Sequence, residues 1–137
     1  MVVKQGRLQV GTNTLKDLAE QADRLGLKGL SIERSTYTAE ALTQKRDYAH
    51  ARERLELDLG KSEKFGLRME TARIHYLLGT VLRLIGDAPD VASHYTMALR
   101  LLSDIQKEPG AEHIFDRPDL HDIYSESVRW TSRKDPS

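Results

Sequence analysis

The feature that most constrains this chain is a self-similarity at a fixed offset: Leu25-Gly26-Leu27-Lys28 recurs as Phe65-Gly66-Leu67-Arg68, 40 residues later. The same shift carries Ala39 onto Gly79, Leu42 onto Leu82, Asp47 onto Asp87, Ala51 onto Val91 and Leu55 onto Tyr95. Small residues fall on small ones and large on large. A period of this length holds one supersecondary unit, which buries its apolar face only by stacking on a neighbour.

Within each period the apolar spacing is helical, and turn signals separate the runs. The pattern predicts an all-α chain of about six helices, at 12–25, 29–45, 48–65, 68–85, 88–107 and 118–131. Gly26, Gly66, Gly86 and Pro109-Gly110 stand where helices are expected to stop, because glycine accepts the left-handed cap and proline cannot continue a helix. Asp47 and Asp87 read as N-caps, Thr12 or Asn13 as the cap of the first helix, and Pro118 as the opening of the last. Two helices per period with short turns make antiparallel hairpins, and stacked hairpins make a solenoid.

Leu78-Gly79, Leu82, Gly86-Asp87, Val91, Tyr95 and Ala98, and one period earlier Thr38-Ala39, Leu42, Asp47-Tyr48, Ala51 and Leu55, follow a spacing that resembles the tetratricopeptide repeat family. The resemblance covers residues 12 to 107, in a lengthened form of a motif that usually repeats every ~34 residues. It implies a right-handed α-hairpin superhelix in one domain over 1–137. An unpaired second helix at 12–26 precedes one repeat at 29–66 and another at 68–107, and a capping helix follows at 118–131. In that cap Leu120, Ile123, Tyr124, Val128 and Trp130 are expected to shield the last hairpin, with Trp130 as a packing anchor.

Helix 68–85 is apolar on nearly every side and is expected to be buried by several neighbours. Beyond its first turn, and apart from His75, only Arg73, Tyr76, Thr80 and Arg83 stay polar, in steps that fall on one narrow stripe. One period earlier the stripe reads Glu33, Thr36, Glu40 and Thr43. The resemblance implies that the first helices of successive hairpins line a concave groove and that these eight residues face a bound peptide. The plain alternative is a solvated helix face, but Arg and Tyr are the residues that dominate binding hot spots. The lysine and asparagine pairing with which chaperone-binding members of the family clamp a carboxylate is replaced by Thr36 and Glu40. The second helices put Val91, Ala92, Tyr95, Ala98, Leu99, Leu102 and Ile105 inward and Ser93, His94, Thr96, Arg100 and Ser103 outward.

Charge narrows the partners. Lys plus Arg and Asp plus Glu are 21 each, so no net field draws the chain to nucleic acid or anionic lipid. There is no cysteine for a disulfide, a thiolate site or a thiol nucleophile. The longest apolar stretch, around Leu77 to Leu82, is far below the roughly 20 residues that span a bilayer, and the first residues lack a signal peptide's apolar core. A cytoplasmic location is expected.

The histidines carry little chemistry on their own. His50 and His94 are expected on outer faces and His75 in the core. His113-Asp116 and Asp119-His121-Asp122 are the only candidates for a divalent ion, without the two-His spacing of zinc enzymes. No glycine-flanked nucleophile or phosphate loop is present, so no cofactor and no catalysis are expected, with a hydrolase as the remote alternative. The reading that remains is a noncatalytic module that binds a peptide, a helix or a neighbouring domain with micromolar affinity, within a larger protein such as a bacterial signalling protein. Reversing Arg73 and Arg83 to Glu is then expected to abolish binding and leave stability nearly unchanged. The alternative is a homodimer through the open N-terminal end, where Leu15, Leu18, Ala19, Ala22 and Leu25 have no hairpin partner.

Overall fold

The computed structural model of the chain describes residues 6–86 and 88–132, with side chains described for 17–18, 20–86 and 89–131. Among the described residues there are five α-helices and no strand: α1 (Gly6–Gln44), α2 (Tyr48–Lys64), α3 (Arg68–Ile85), α4 (Ala88–Gln106) and α5 (Pro118–Ser132), with a 3-10 turn at Ile114–Asp116 before α5. None of these helices is long and apolar enough to cross a membrane.

Five helices stand where the spacing predicts six, because α1 runs unbroken through Gly26. A glycine ends a helix only where the chain turns off the axis in a left-handed conformation. Gly66, Gly86 and Gly110 do this, with φ of 68°, 97° and 87°, and Gly26 does not. After Gly26 the residues Leu27 to Ile32 resume the helical spacing, and one interior glycine costs only about 1 kcal/mol of helix propensity. The helix also passes through Thr12 and Asn13, so neither of them caps it. Asp87 lies outside the described residues, as do the side chains of Leu15 and Ala19.

The other boundaries follow their sequence signals. The α1–α2 turn places Arg46 in the left-handed region, and Asp47 caps α2 by accepting a hydrogen bond from the amide of His50 at 3.4 Å. Gly66 turns the chain into α3, and Gly86 closes α3 by donating its amide to the Leu82 carbonyl at 2.9 Å. Pro118 begins α5, where a missing amide hydrogen costs nothing.

Packing makes α3 the centre. Ile32 and Ala39 of α1 and Ala51 and Leu55 of α2 bury against Ile74, Leu77, Leu78 and Val81. On its other side Ala72 meets Leu102 of α4 with Leu120 and Ile123 of α5, and Leu82 meets Val91 and Tyr95. Gly79 allows the closest approach: a β-carbon there would stand 3.1 Å from the Tyr95 ring. The pattern is not obeyed everywhere. Leu84 and Ile85 at the end of α3 are exposed, and so is Ala92, which the spacing puts inside. In α5 Ser127 is buried, whereas Val128 and Tyr124 are each a little over one third exposed, Tyr124 against the Phe115 ring.

Candidate functional site

Three helices that are not consecutive, α1, α3 and α5, meet around Arg73. Its guanidinium donates to Asp119 of α5 at 2.9 Å and lies 3.8 Å from the Glu33 carboxylate of α1. With 16% of its side chain exposed, Arg73 holds three helices in register more than it faces water. Burial acts to raise the pKa of the Asp119 carboxyl, but the hydrogen bond and charge of Arg117, the Leu120 amide and Arg73 together hold it below the usual carboxylate range.

Beside this junction opens a cleft of about 270 Å³, lined by Tyr37 and Glu40 of α1, Arg73, Tyr76 and Leu77 of α3, and Asp119, Asp122 and Ile123 of α5. Tyr37 is 56% exposed and donates to Glu33 at 3.3 Å. Tyr76 is half-buried with its ring centroid 5.9 Å from that of Tyr95, and burial pushes its phenol above the ordinary range, so it is a neutral hydrogen-bonding group. Partial burial likewise raises the Glu40 carboxyl, against the opposing charge of Arg73. Three carboxylates and one guanidinium line the cleft, so its excess charge is negative.

The eight residues singled out in the sequence do not share one surface. Glu33, Glu40, Arg73 and Tyr76 converge on the cleft or its edge. Thr36 is buried and donates its hydroxyl to the Glu33 carbonyl, and Thr43 donates to the Ala39 carbonyl. Thr80 donates to the Tyr76 carbonyl at 3.0 Å and is hydrogen-bonded to the Tyr95 hydroxyl at 2.8 Å. Arg83 lies 4.4 Å over the Trp130 ring and donates to the Tyr95 hydroxyl at 3.4 Å, so α5 lies against it. Small hydroxyl residues on a packed helix satisfy themselves on the preceding turn, which is why Thr36 and Thr43 mimic a polar stripe without presenting one. Because Arg73 and Arg83 are structural contacts, reversing their charge disturbs the packing; this corrects the expectation that stability would hardly change. Sequence spacing missed Tyr37 and Asp122, whose place depends on how α5 rotates against α3.

His50 is exposed and His75 buried, as the spacing predicts, but His94 is not on an open outer face. His94 is half-buried, with Nδ1 2.9 Å from Nδ1 of the buried His75. The Nε2 of His75 is buried without a hydrogen-bond partner. Burial and the neighbouring His94 depress His75 to about 4, and burial lowers His94 as well. His113 pairs with Asp116 at 3.5 Å and His121 with Asp122 at 3.8 Å, while Asp119 is held by the two arginines. Among the described residues no three His, Cys, Asp or Glu side chains gather as a set of metal ligands.

A second hollow, of about 780 Å³, lies between α1 and α2, lined among others by Ser35, Thr38, His50, Arg54, Asp58 and Lys61. It is wide, with walls more apolar than polar, and Arg54 crosses it to donate to the Ser35 hydroxyl at 3.2 Å. No family model matches the chain, and no curated protein or solved structure compared with it matches either.

Proposed function

We propose that the chain is a noncatalytic interaction module, arranged as a tetratricopeptide-like hairpin solenoid, that holds a peptide or helix in the cleft between α1, α3 and α5. In such an array α1, α3 and α5 are the successive inner helices. The observation that carries the reading is the junction at Arg73, which ties all three of these helices together and leaves an open cleft beside it. Tyr37 and Tyr76 supply apolar area with a hydrogen-bonding tip, as recognition surfaces commonly do. Exposed Leu30 falls near the helical face of Tyr37 and extends the apolar contact along α1.

The excess of carboxylates selects the occupant: a segment that carries Lys or Arg beside an apolar residue. With few residues lining the cleft, affinity is on the order of micromolar. The test uses exposed residues that hold no helix in place. A random peptide library is selected on the wild type and on Tyr37→Ala with Glu40→Lys. Selected peptides rich in Lys or Arg that lose at least about 10-fold in affinity for an equally stable variant support the reading. Peptides without basic residues, or bound equally by both proteins, contradict it.

A further inference from the structure

Asp58 of α2 is a carboxylate in an apolar place. It stands on the inward row Ala51, Leu55, Asp58 and Ser62, in steps of four, three and four, and is 3% exposed. Its Oδ2 is buried with no hydrogen-bond partner among the described residues. Arg54 and Lys61, one turn away on either side, form no ion pair with it, and Arg54 donates to the Ser35 hydroxyl instead. A buried carboxylate without a partner is strongly destabilising. Forty residues later the same position is held by Ala98, which is fully buried.

The carboxylate borders an open space. A hollow of about 300 Å³, a volume at which small-molecule sites begin, lies between α1 and α2 with Asp58 in its wall. It adjoins the wider hollow between the same helices, and the two share Ser35, Thr38, Arg54, Asp58 and Lys61. Arg34 completes its charged lining, so three cations stand against one carboxylate and leave an excess of two positive charges. In the next hairpin the equivalent face is apolar, where Ile74 and Leu78 bury against α1 and α2. Forty residues earlier stand Arg34 and Thr38, so this face is not built to receive another apolar helix. A polar occupant with its own hydrogen-bond donor fits it.

We propose that this hollow binds a small phosphorylated polyol, with the phosphate among Arg34, Arg54 and Lys61 and a hydroxyl donating to Oδ2 of Asp58. A phosphate monoester carries a charge of about −1.5 to −2 near neutral pH, which matches the excess of the lining. Guanidinium forks bind phosphate oxygens in pairs, and the lysine adds a third cation. A carboxylate oxygen only accepts, so it repels a phosphate oxygen and selects the hydroxyl beside it. The hollow shares no lining residue with the cleft beside Arg73, and its ligand does not depend on what that cleft holds.

Calorimetric titration of the full chain with glycerol 3-phosphate and with glucose 6-phosphate tests this, and saturable binding of at least one is expected. Asp58→Ala is expected to weaken that binding at least about 10-fold, yet to melt at or above the wild-type temperature because an unpaired buried charge is gone. Arg34→Ala with Lys61→Ala, two exposed residues, is expected to weaken it at least about 10-fold and to keep the fold. Lys45→Ala, an exposed lysine in the α1–α2 turn outside the hollow, is expected to bind as the wild type does. Inorganic phosphate and sulfate, which carry no polyol, are expected to bind at least about 10-fold more weakly. No saturable binding of either polyol phosphate overturns the proposal, and so does equal affinity for inorganic phosphate or sulfate. Full affinity in Asp58→Ala, or equal weakening by Lys45→Ala, reduces the effect to a general attraction between charges and also overturns it. A much lower melting temperature of Asp58→Ala shows that the carboxylate serves the fold and overturns its assignment to a ligand.

Discussion

The two halves of α1 carry one seam and have different surroundings. From Gly29 to Thr43 the seam residues are buried or half-buried against α2 and α3, with Ile32 and Ala39 in the main core cluster. From Leu18 to Leu25 residues at the same helical positions face solvent. Identical periodicity therefore does not decide burial; the presence of α2 alongside does. A helix is stabilised chiefly by tertiary contact, which α2 and α3 supply to the stretch from Gly29 to Thr43 and not to the described residues from Glu20 to Gly26.

The largest expected effects lie in the packed half. Ile32→Ala removes a side chain that is 3% exposed and is expected to cost about 3 kcal/mol in urea unfolding. Leu25→Ala, measured on dilute protein, is expected to change stability by less than about 0.5 kcal/mol. Comparable costs for the two would erase the distinction between the halves.

Acid should act on the body and not on the free half. His75 is held near 4 in the folded chain and rises to about 6.5 when unfolded, so between these values the unfolded chain binds a proton that the folded one refuses. Stability is therefore expected to fall as pH drops from 6.5 to 4, by at most about 3 kcal/mol. Around this pair stand Glu56 and Arg52 of α2 and Asp90 of α4. His75→Gln should flatten that part of the profile, read by thermal melts across pH; an unchanged slope contradicts the assignment.

Two glycines give the smaller effects, and with opposite signs. Gly79→Ala presses a methyl against the Tyr95 ring at 3.1 Å and is expected to destabilise by 1–3 kcal/mol. Gly26→Ala meets nothing within 4 Å and is expected to strengthen the helix by about 1 kcal/mol, seen as increased helical ellipticity. A loss of helix at Gly26→Ala would mean that the residue does turn the chain after all.

The signals that were legible in the sequence are local ones. Asp47, Gly66, Gly86 and Pro118 fix the ends of α2, α3 and α5 because capping and φ constraints act within a few residues. Gly79 is readable as a small position from its alignment with Ala39 in the repeat, whereas its contact with the Tyr95 ring is seen only in the structure. Gly26 misleads because a left-handed cap and a tolerated helical glycine have the same residue identity. The candidate cleft is half legible: Arg73, Tyr76, Glu33 and Glu40 lie on the predicted stripe. Asp119, Asp122 and the covering of Arg83 by Trp130 depend on the rotation of α5, which has left the 40-residue register. Thr36 and Thr43 look polar in sequence, but their hydroxyls close on their own helix.

Amide hydrogen exchange along α1 in dilute protein tests most directly whether the two halves of one helix have different support. Amides from Ile32 to Thr43 should be protected, and those from Glu20 to Gly26 should exchange rapidly. Equal protection along both stretches would contradict the account.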